Sequence, residues 1–437
     1  MSYAIARSYG ANADQNKLSH EDRAIHDWYR FVLSFPPHLV RQYLERFDLS
    51  PSDCVLDPFC GTGTTIVEAR RLGLPSVGVE GNPLAHFAAE VKVSWDVDPG
   101  GLLEHASSVA DDAFGRLHDH GLSDSGEAVD HMAALPLRTL HPEQEALLLK
   151  GSISPLPLHK ALTLLDCLRE HHDEQFSSHE RLAFAKSVVS ASSNLHFGPE
   201  VGVGSPKPNA PVVRPWLSAV EAMATDLWWV PRDAPKARVV HGDARRLAGI
   251  EECSIDAVFC SPPYPNEKDY TRTTRLESVL LGFINDKAGL RVLKRGLLRS
   301  NTRGVYKGDA DDAWVATHGE IQRLADEIET RRIELGKTSG FERMYARVIR
   351  LYFGGMARHL AELRPLLKPG ARLAYVVGDQ ASFFQVLIRT GTLLAELAEA
   401  LGYRVDSIDL FRTRLATATR AQLREEVVLL YWPGLAA

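Results

Sequence analysis

The sequence lacks the features of a secreted, membrane-spanning or disulfide-stabilised protein. Its 437 residues contain only five cysteines, and no two of them form a Cys-x-x-Cys pair, so we expect reduced thiols and no metal site. No segment approaches the roughly 18 uninterrupted apolar residues of a transmembrane helix. The N-terminus also lacks the apolar core of a signal peptide. These absences predict a cytoplasmic protein.

Two common nucleotide-binding motifs are missing as well. The dinucleotide fingerprint GxGxxG is not met, and no GxxxxGK[ST] loop for a nucleoside triphosphate occurs. A cofactor site in this chain must therefore be built from other residues.

The length favours two or three domains, or one domain with large insertions. The chain is 45% hydrophobic and 24% charged, with a formal net charge of -6, which is ordinary for a globular protein. The charge is unevenly placed, because residues 268–310 contain ten basic and four acidic residues, a local net charge of +6. Such a segment favours contact with phosphate groups.

The N-terminal third alternates strands and helices. A short apolar strand ends in Asp57 and is followed by the glycine-rich turn 58–65 and a helix. A second strand ends in Glu80, and Asn82 opens the next helix. This alternation predicts an α/β fold with a Rossmann-like sheet.

The alternating pattern is then interrupted twice by segments of mostly helical periodicity, and strands resume after each interruption. We expect six parts: a flexible N-terminal segment (1–25), the first part of the core (26–96), a helical insertion (97–235), the second part of the core (236–270), a basic and helical insertion (271–342) and the C-terminal part of the core (343–437).

The tetrapeptide Ser261-Pro262-Pro263-Tyr264 follows directly after the apolar strand 257–260. Two consecutive prolines stiffen the backbone and remove two N–H donors, so the nearby carbonyl groups become fixed acceptors. A hydroxyl group and an aromatic face flank them. This set suits a flat ring with an exocyclic amino group, because the serine and a carbonyl can accept the amine hydrogens while the tyrosine stacks on the ring.

Polar residues also follow several predicted strands. Gly61 and Gly63 form a turn that lets a ligand approach the backbone closely. Glu80 can bind ribose hydroxyls at the end of the second strand, and Asp243 can receive an adenine amino group after a later strand. Because the carboxyl ends of parallel strands share one sheet edge, these residues predict an adenosine-binding crevice.

These motifs carry a family resemblance. Asp-Pro-Phe-x-Gly-x-Gly-Thr-Thr at 57–65, followed downstream by Ser-Pro-Pro-Tyr, resembles the S-adenosylmethionine-dependent DNA amino-methyltransferases, which modify cytosine N4 or adenine N6. The resemblance covers 31–96 and 237–271, and more loosely 343–435. It implies a Rossmann-like class I methyltransferase sheet with helices on both faces, interrupted by two largely helical insertions. It also implies S-adenosyl-L-methionine as cofactor and double-stranded DNA as partner.

The resemblance further implies roles for single residues. The implied cofactor-binding set is Phe35, Pro36, Asp57, Phe59, Gly61, Gly63, Thr64, Glu80, Asn82, Asp243 and Ala244. Within it, Phe35 and Pro36 help to bind the methionine half, and Asp57 faces the methionine and sugar. The implied catalytic set is Ser261, Pro262, Pro263 and Tyr264: the serine and first proline hold the target amine, and the tyrosine stacks on the extruded base.

The residue at position 261 bears on the target base. Serine there leans toward cytosine N4 in this family and aspartate toward adenine N6, so we expect a cytosine-N4 enzyme. An N6-adenine enzyme or an RNA amino-methyltransferase is the alternative. We reject methylation at cytosine C5, because it needs a cysteine in a Pro-Cys loop and no Pro-Cys dipeptide occurs. The intact motifs argue against a catalytically silent subunit.

The basic segment after the motif is our first choice for target recognition. Its residues Lys268, Arg272, Arg275, Arg299 and Arg303 are expected to contact base edges or phosphates. The helical insertion 97–235 is the second choice, with dimerisation or lid closure as its other roles. The Gly/Pro-rich loop 197–208 is expected to fold over the cofactor or DNA, or to be a surface connection. No nuclease signature is evident, so a restriction endonuclease would be a separate chain; monomer and homodimer both stay open.

Overall fold

A seven-stranded β-sheet forms the centre of this computed structural model, which describes residues 18–31, 34–125, 136–198, 200–266, 268–415 and 422–434. The strands are β1 (Val55–Asp57), β2 (Ser76–Glu80), β3 (Leu195–Phe197), β4 (Val201–Val203), β5 (Ala237–His241), β6 (Ile255–Cys260), β7 (Leu367–Gly378), β8 (Arg404–Leu415) and β9 (Gln422–Tyr431). Strands β3 and β4 form a separate antiparallel pair. The predicted strands that end in Asp57 and Glu80 coincide with β1 and β2.

The helices are α1 (Pro37–Arg46), α2 (Thr64–Arg71), α3 (Pro83–Lys92), α4 (Pro99–Asp119), α5 (Pro142–Glu145), α6 (Pro155–Glu170), α7 (Ser177–Ser187), α8 (Val213–Leu227), α9 (Tyr270–Thr273), α10 (Arg275–Leu280), α11 (Lys287–Arg295), α12 (Gly319–Glu334), α13 (Tyr345–Leu363) and α14 (Thr390–Ala400). Five of them begin with proline, which lacks only an N–H group that would be unpaired at that position. Within the described ranges, no helix combines the length and apolarity needed to cross a lipid bilayer.

The strand order across the sheet is β5-β2-β1-β6-β7-β9-β8. The pairs along β5-β2-β1-β6-β7 are parallel, and β9 is antiparallel to both β7 and β8. The chain leaves β1 toward β2 on one side and later returns to β6 on the other side, which creates a topological switch point at β1. This topology confirms the predicted Rossmann-like class I methyltransferase fold.

Helices cover both faces of the sheet. Leu56 and Val258 pack in one apolar cluster with residues of α13 and α14. Their neighbours Val55 and Ala257 pack in another cluster with residues of α1. Because successive side chains of a strand point to opposite faces, one apolar run serves both clusters. The predicted helices on both faces are therefore present.

The segment between β2 and β5 packs into the same apolar core as the sheet-flanking helices. One cluster joins Ala88 of α3, Trp216 of α8 and Val279 of α10. Helices α4, α6, α7 and α8 therefore pack on the core of the fold. The residue numbers given above for the domain boundaries stay predictions.

Two expectations need correction. Part of the predicted loop 197–208 belongs to an antiparallel hairpin, because Leu195 pairs with Val203 across β3 and β4. The N-terminal segment predicted to be flexible through residue 25 is anchored where the structure describes it. Asp22 forms an ion pair with Arg41 at 2.8 Å, and the buried Ile25 donates its backbone N–H to Asp226 at 2.8 Å. Residues 1–17 of that predicted segment lie outside the described residues.

Two glycines of α13 allow the second inserted segment to pack directly on this helix. A Cβ atom at Gly354 would collide with the carbonyl oxygen of Asp311, and one at Gly355 would lie 2.5 Å from the Leu298 side chain. Helix α13 packs on the sheet, so this close contact fixes the segment around Leu298 relative to the strand ends.

Gly354→Ala is expected to destabilise the protein by about 1–3 kcal/mol, because the added methyl group has no space against the Asp311 carbonyl. The matched control is Gly115→Ala in the exposed part of α4, where no described atom lies within 4 Å of the added carbon. That change is expected to stabilise the helix by about 0.5–1 kcal/mol. Urea denaturation measures both effects. A Gly354→Ala variant as stable as the unaltered protein would contradict the packing.

Candidate cofactor and target-base site

A cavity of about 650 Å³ opens at the C-terminal ends of β1, β2, β5 and β6. Open α/β sheets bind ligands at this edge, beside a topological switch point. The predicted residues that line the cavity are Phe35, Phe59, Gly61, Thr64, Glu80, Asn82, Asp243, Ala244, Ser261, Pro262, Pro263 and Tyr264. The structure thus brings the glycine turn and the Ser-Pro-Pro-Tyr motif into one cavity.

Glu80 closes the glycine turn. One carboxylate oxygen accepts the backbone N–H of Gly61 at 2.8 Å, and the other accepts that of Asn82 at 2.7 Å. Burial raises the pKa of Glu80 above its ordinary value. Each oxygen retains a further lone pair toward the cavity, where ribose hydroxyls could donate. The Asn82 side chain caps α3, because its carbonyl oxygen accepts the backbone N–H of Leu84 at 3.1 Å. This oxygen therefore already has a hydrogen-bond partner in the helix.

Asp57 lies beneath the turn, fully buried, and does not line the cavity. Burial is the main reason why its pKa is raised to about 7. One oxygen accepts the backbone N–H of Phe59 at 3.0 Å, whereas the other has no hydrogen-bond partner among the described residues. A buried carboxyl group with an idle oxygen fits a cationic ligand nearby, and S-adenosylmethionine carries positive charge on its sulfur and its amino group.

Two other predicted cofactor residues also lie off the cavity wall. Pro36 is buried at the start of α1. Gly63 has a φ of +88°, and a Cβ atom there would lie 3.3 Å from Ala89. Both residues shape the site through the backbone rather than through contact with the cavity.

Asp243 is held by an arginine that the sequence interpretation missed. Its carboxylate accepts from Arg245 Nε at 3.0 Å and from Nη2 at 2.7 Å. The same guanidinium donates to Asp311 at 2.5 Å. Asp243 thereby has a fixed orientation and, because a carboxylate oxygen accepts more than one hydrogen bond, can still receive an adenine amino group.

His359 fixes the backbone at Ala244. Burial lowers the pKa of His359 to about 4, so the imidazole is neutral near pH 7. Its Nδ1–H donates to the Ala244 carbonyl oxygen at 2.8 Å, and Nε2 therefore accepts from the Tyr375 hydroxyl at 2.8 Å. The Phe59 ring meets this imidazole edge-on at 4.9 Å, which positions Phe59 on the cavity wall.

The second inserted segment closes over the strand ends. A Cβ atom at Gly81 would lie 2.9 Å from the Leu297 side chain and 3.3 Å from the Gly296 carbonyl oxygen. Leu297 and Leu298 line the same cavity as Glu80. The basic segment is therefore partly a wall of the cofactor side of the cavity.

The Ser-Pro-Pro-Tyr motif forms the other side. Ser261 Oγ donates to the Val376 carbonyl oxygen of β7 at 3.0 Å. The Tyr264 ring packs against Gly378, where a Cβ atom would lie 3.2 Å from the ring. Burial raises the pKa of the Tyr264 hydroxyl, so it stays protonated at neutral pH.

Residues of β8 and β9, with Gln380 just after β7, form a further part of the wall near Tyr264, and sequence reasoning missed them. Gln380, Phe411, Arg412, Arg414 and Glu425 line the cavity there. Arg412 Nε donates to Glu425 at 2.6 Å. A signal was available, since five charged residues in β8 and three in β9 indicate a polar surface.

The five predicted nucleic-acid contacts divide into two groups. Lys268 lines the cavity, and Arg272 and Arg303 lie 3.7 and 4.0 Å from Glu200 of the first insertion. Arg299 is buried and forms an ion pair with Asp309 at 2.8 Å, and its remaining N–H groups bind backbone carbonyls. Arg299 lines the cavity, but its guanidinium already has these protein partners, so a DNA contact by Arg299 stays a prediction.

Arg275 is also directed inward. Its Nε donates to the Thr271 carbonyl oxygen at 2.9 Å, and Nη1 donates to that of Leu147 at 3.4 Å. Burial lowers the pKa of Arg275. Its guanidinium already has protein partners, so a DNA contact by Arg275 stays a prediction.

Binding of S-adenosylmethionine is expected to release protons near pH 7 and to weaken by up to about tenfold per pH unit below it. The reason is that the cationic ligand favours ionised Asp57, whose pKa without ligand is about 7. Calorimetry in two buffers of different ionisation enthalpy measures the proton release. Asp57→Asn should abolish it, and the exposed Asp326→Asn should not. Equal proton release in both variants would contradict the assignment.

Comparisons with known proteins agree with this geometry. A family model described as DNA methylase, for N6 and N4 methyltransferases, matches residues 10–90. The chain is 25% identical to Type II methyltransferase M.BsoBI of Geobacillus stearothermophilus, over 94% of this chain and 84% of that protein. It is 22% identical to Type II methyltransferase M.AvaI of Nostoc sp., over 87% and 79%. Type II methyltransferase M.MjaII of Methanocaldococcus jannaschii is 35% identical over 17% of this chain and 14% of its own length.

Among solved structures, TrmN from Thermus thermophilus aligns with 94% of this chain and 52% of its own, at 14% identity and a TM-score of 0.27. That score is too low to support an argument. The strand order, the glycine turn beside buried carboxylates, the family model and the relatives that align along most of the chain all agree. S-adenosylmethionine is the cofactor that this site and these relatives imply, and the chain is similar to the DNA amino-methyltransferases along most of its length.

Proposed function

We propose that this protein transfers a methyl group from S-adenosylmethionine to the N4 atom of a cytosine flipped out of duplex DNA. The observation that carries the proposal is that Ser261–Tyr264 and the glycine turn line one cavity. A base cannot reach this cavity while it is stacked in a duplex, so flipping is part of the proposal. The relatives named Type II methyltransferases support DNA as the substrate.

The hydrogen bond made by Ser261 determines what its hydroxyl can offer to a substrate. The hydroxyl hydrogen is used by the Val376 carbonyl, so the lone pairs of Oγ remain for a donor. The Pro262 carbonyl is also an acceptor only. Two acceptors fit the two hydrogens of an exocyclic amine and stabilise positive charge that develops on its nitrogen.

The reaction needs no strong base in this site. The cofactor supplies a methyl carbon activated by a sulfonium group. The amine nitrogen forms the new N–C bond as the C–S bond breaks, and the nitrogen then loses a proton to solvent. The task of Ser261 and Pro262 is therefore alignment, and the tyrosine face of Tyr264 offsets part of the unstacking cost of the base.

Serine at position 261 favours cytosine over adenine in this proposal. The relatives named Type II methyltransferases also suggest a restriction-modification system with a separate endonuclease. Arg272 and Arg303 face Glu200 at the mouth of the cavity, and Arg291, Arg295 and Lys307 are exposed beyond it. These cations offer a surface for DNA phosphates.

The product identifies the target atom. Incubation of the protein with labelled S-adenosylmethionine and genomic DNA, followed by nucleoside mass spectrometry, is expected to yield N4-methylcytosine. N6-methyladenine would overturn the choice of base, and label in RNA but not in DNA would overturn the substrate. If the protein binds S-adenosylmethionine but transfers no label to DNA, the whole proposal is contradicted.

Two substitutions test whether the methylation activity depends on the proposed site. Tyr264→Ala is expected to lower kcat by at least about tenfold, since it removes a stacking contact that is typically worth about 1–3 kcal/mol. Tyr306→Ala is the control, because Tyr306 packs between Arg295 and Arg299 outside the cavity. Equal activity of the two variants would show that Tyr264 does not contact the base.

The salt dependence of DNA binding tests the exposed arginines. Arg272→Ala and Arg303→Ala are each expected to lower the slope of log K against log salt by about 1, because each removes one phosphate contact. Arg331→Ala is the control, since Arg331 is an exposed arginine on α12, outside the basic segment 268–310. Fluorescence anisotropy at several salt concentrations measures the slopes. If all three variants gave the same slope, Arg272 and Arg303 would not contact DNA phosphates.

A further inference from the structure

A second cavity of about 300 Å³ adjoins the first. It lies between the N-terminal segment, the β3–β4 hairpin and helices α9 and α10. The two cavities share the lining residues Phe31, Glu200, Lys268, Asp269 and Tyr270. Its volume is at the lower end of the roughly 300–1,000 Å³ found for ligand sites. Nothing in the cofactor site or in the proposed methyl transfer uses this space.

The wall of the second cavity contains a buried acid with an unused oxygen. Glu277 is only 1% exposed. One of its carboxyl oxygens accepts the Tyr29 hydroxyl at 2.5 Å, and the other has no hydrogen-bond partner among the described residues. An unpaired buried acceptor costs free energy, so this oxygen suits a ligand that donates an N–H group. Burial raises the pKa of Glu277 to about 7.

The walls suit a flat ring. Aromatic side chains come from three places in the chain: Tyr29 and Phe31, Phe197, and Tyr270 all line the cavity. The rings of Tyr29 and Phe31 meet edge-on at 6.2 Å. Aromatic side chains are the usual stacking surface for unpaired nucleobases.

Cationic side chains lie at the edge of the same cavity. Lys186 and Arg30 line it on one side and Lys268 on the side that it shares with the first cavity. Lys186 donates to the Asp27 carbonyl oxygen, and Arg30 donates to that of Ser34 at 3.1 Å. Both groups keep further N–H donors. The acids Asp27, Glu200 and Asp269 line the same cavity and partly balance these cations, so the match to a nucleobase rests on the aromatic walls and on Glu277.

We propose that the second cavity binds a second unstacked nucleobase of the bound DNA, with its N–H group donated to Glu277 and its ring packed on Phe197. This inference rests on the proposed function. The base is either a neighbour of the target in the same strand or the partner that the target leaves behind. Both have the same chemistry, and both lie close to the target base that the adjoining cavity takes.

A cycle of protein and DNA substitutions tests the proposal. The duplex contains the sequence that product analysis shows to be methylated, with single abasic sites at the partner position and at each neighbour of the target. S-adenosylhomocysteine is present, and anisotropy gives the Kd. On the intact duplex, Phe197→Ala is expected to bind about tenfold more weakly than the unaltered protein. One of the abasic sites is expected to weaken binding of the unaltered protein by about tenfold. The same abasic site should hardly change the Kd of Phe197→Ala. The position that couples identifies the source of the base.

His196→Ala is the matched control, because His196 is exposed in the same strand as Phe197 and does not line the cavity. It should show no coupling at any position. Glu277→Gln retains an acceptor for Tyr29 but replaces the unused oxygen, so it should change the order of preference for the four bases at the coupled position. A merely structural role would leave that order unchanged.

The outcomes separate this proposal from the function on which it rests. If the unaltered protein methylates DNA but Phe197→Ala is additive with every abasic site, the second cavity binds no base and the methyltransferase function stands. If no DNA base is methylated and no duplex is bound, both proposals fall.

Discussion

The buried guanidinium of Arg245 lies between Asp243, at the end of β5, and Asp311, in the second inserted segment. The same carboxylate of Asp311 also accepts from Arg358 of α13. One charge network therefore joins a strand end, an insertion and a helix that covers the sheet. Removing one partner of such a buried network leaves an uncompensated charge. The wall formed by Leu297 and Leu298 depends on it, because the segment has to approach both the strand ends and Gly355.

The parts of the site that were predictable from sequence are those set by local chemistry. A glycine turn after a strand, and an acid at the end of the next one, require only short-range patterns, so Gly61 and Glu80 were identified correctly as cavity residues. Ser261–Tyr264 were identified for the same reason. Long-range partners were not predictable: no local pattern indicates that Arg245 joins Asp243 to Asp311, or that Gly378 provides the space for the Tyr264 ring. The wall of Arg412 and Glu425 comes from strands far along the chain.

Net charge was the least reliable guide. The segment 268–310 is basic, but part of its charge balances acids within the protein. Lys294 pairs with Asp269 at 2.6 Å and Arg299 with Asp309 at 2.8 Å. A charge count records how many cations a segment has, and only the fold decides which ones lack an internal partner. Exposed Arg272 and Arg303 differ from Arg299 in burial and in the distance to their acid, and neither difference is visible in the sequence.

The question of which insertion contacts the target also changes once the structure is known. The sequence suggested a choice between the two insertions, but Glu200 of the first lies next to Arg272 and Arg303 of the second. These contacts, at 3.7 and 4.0 Å, are long and exposed, so they contribute little stability. A phosphate group can replace the Glu200 carboxylate at both arginines without loss of charge pairing.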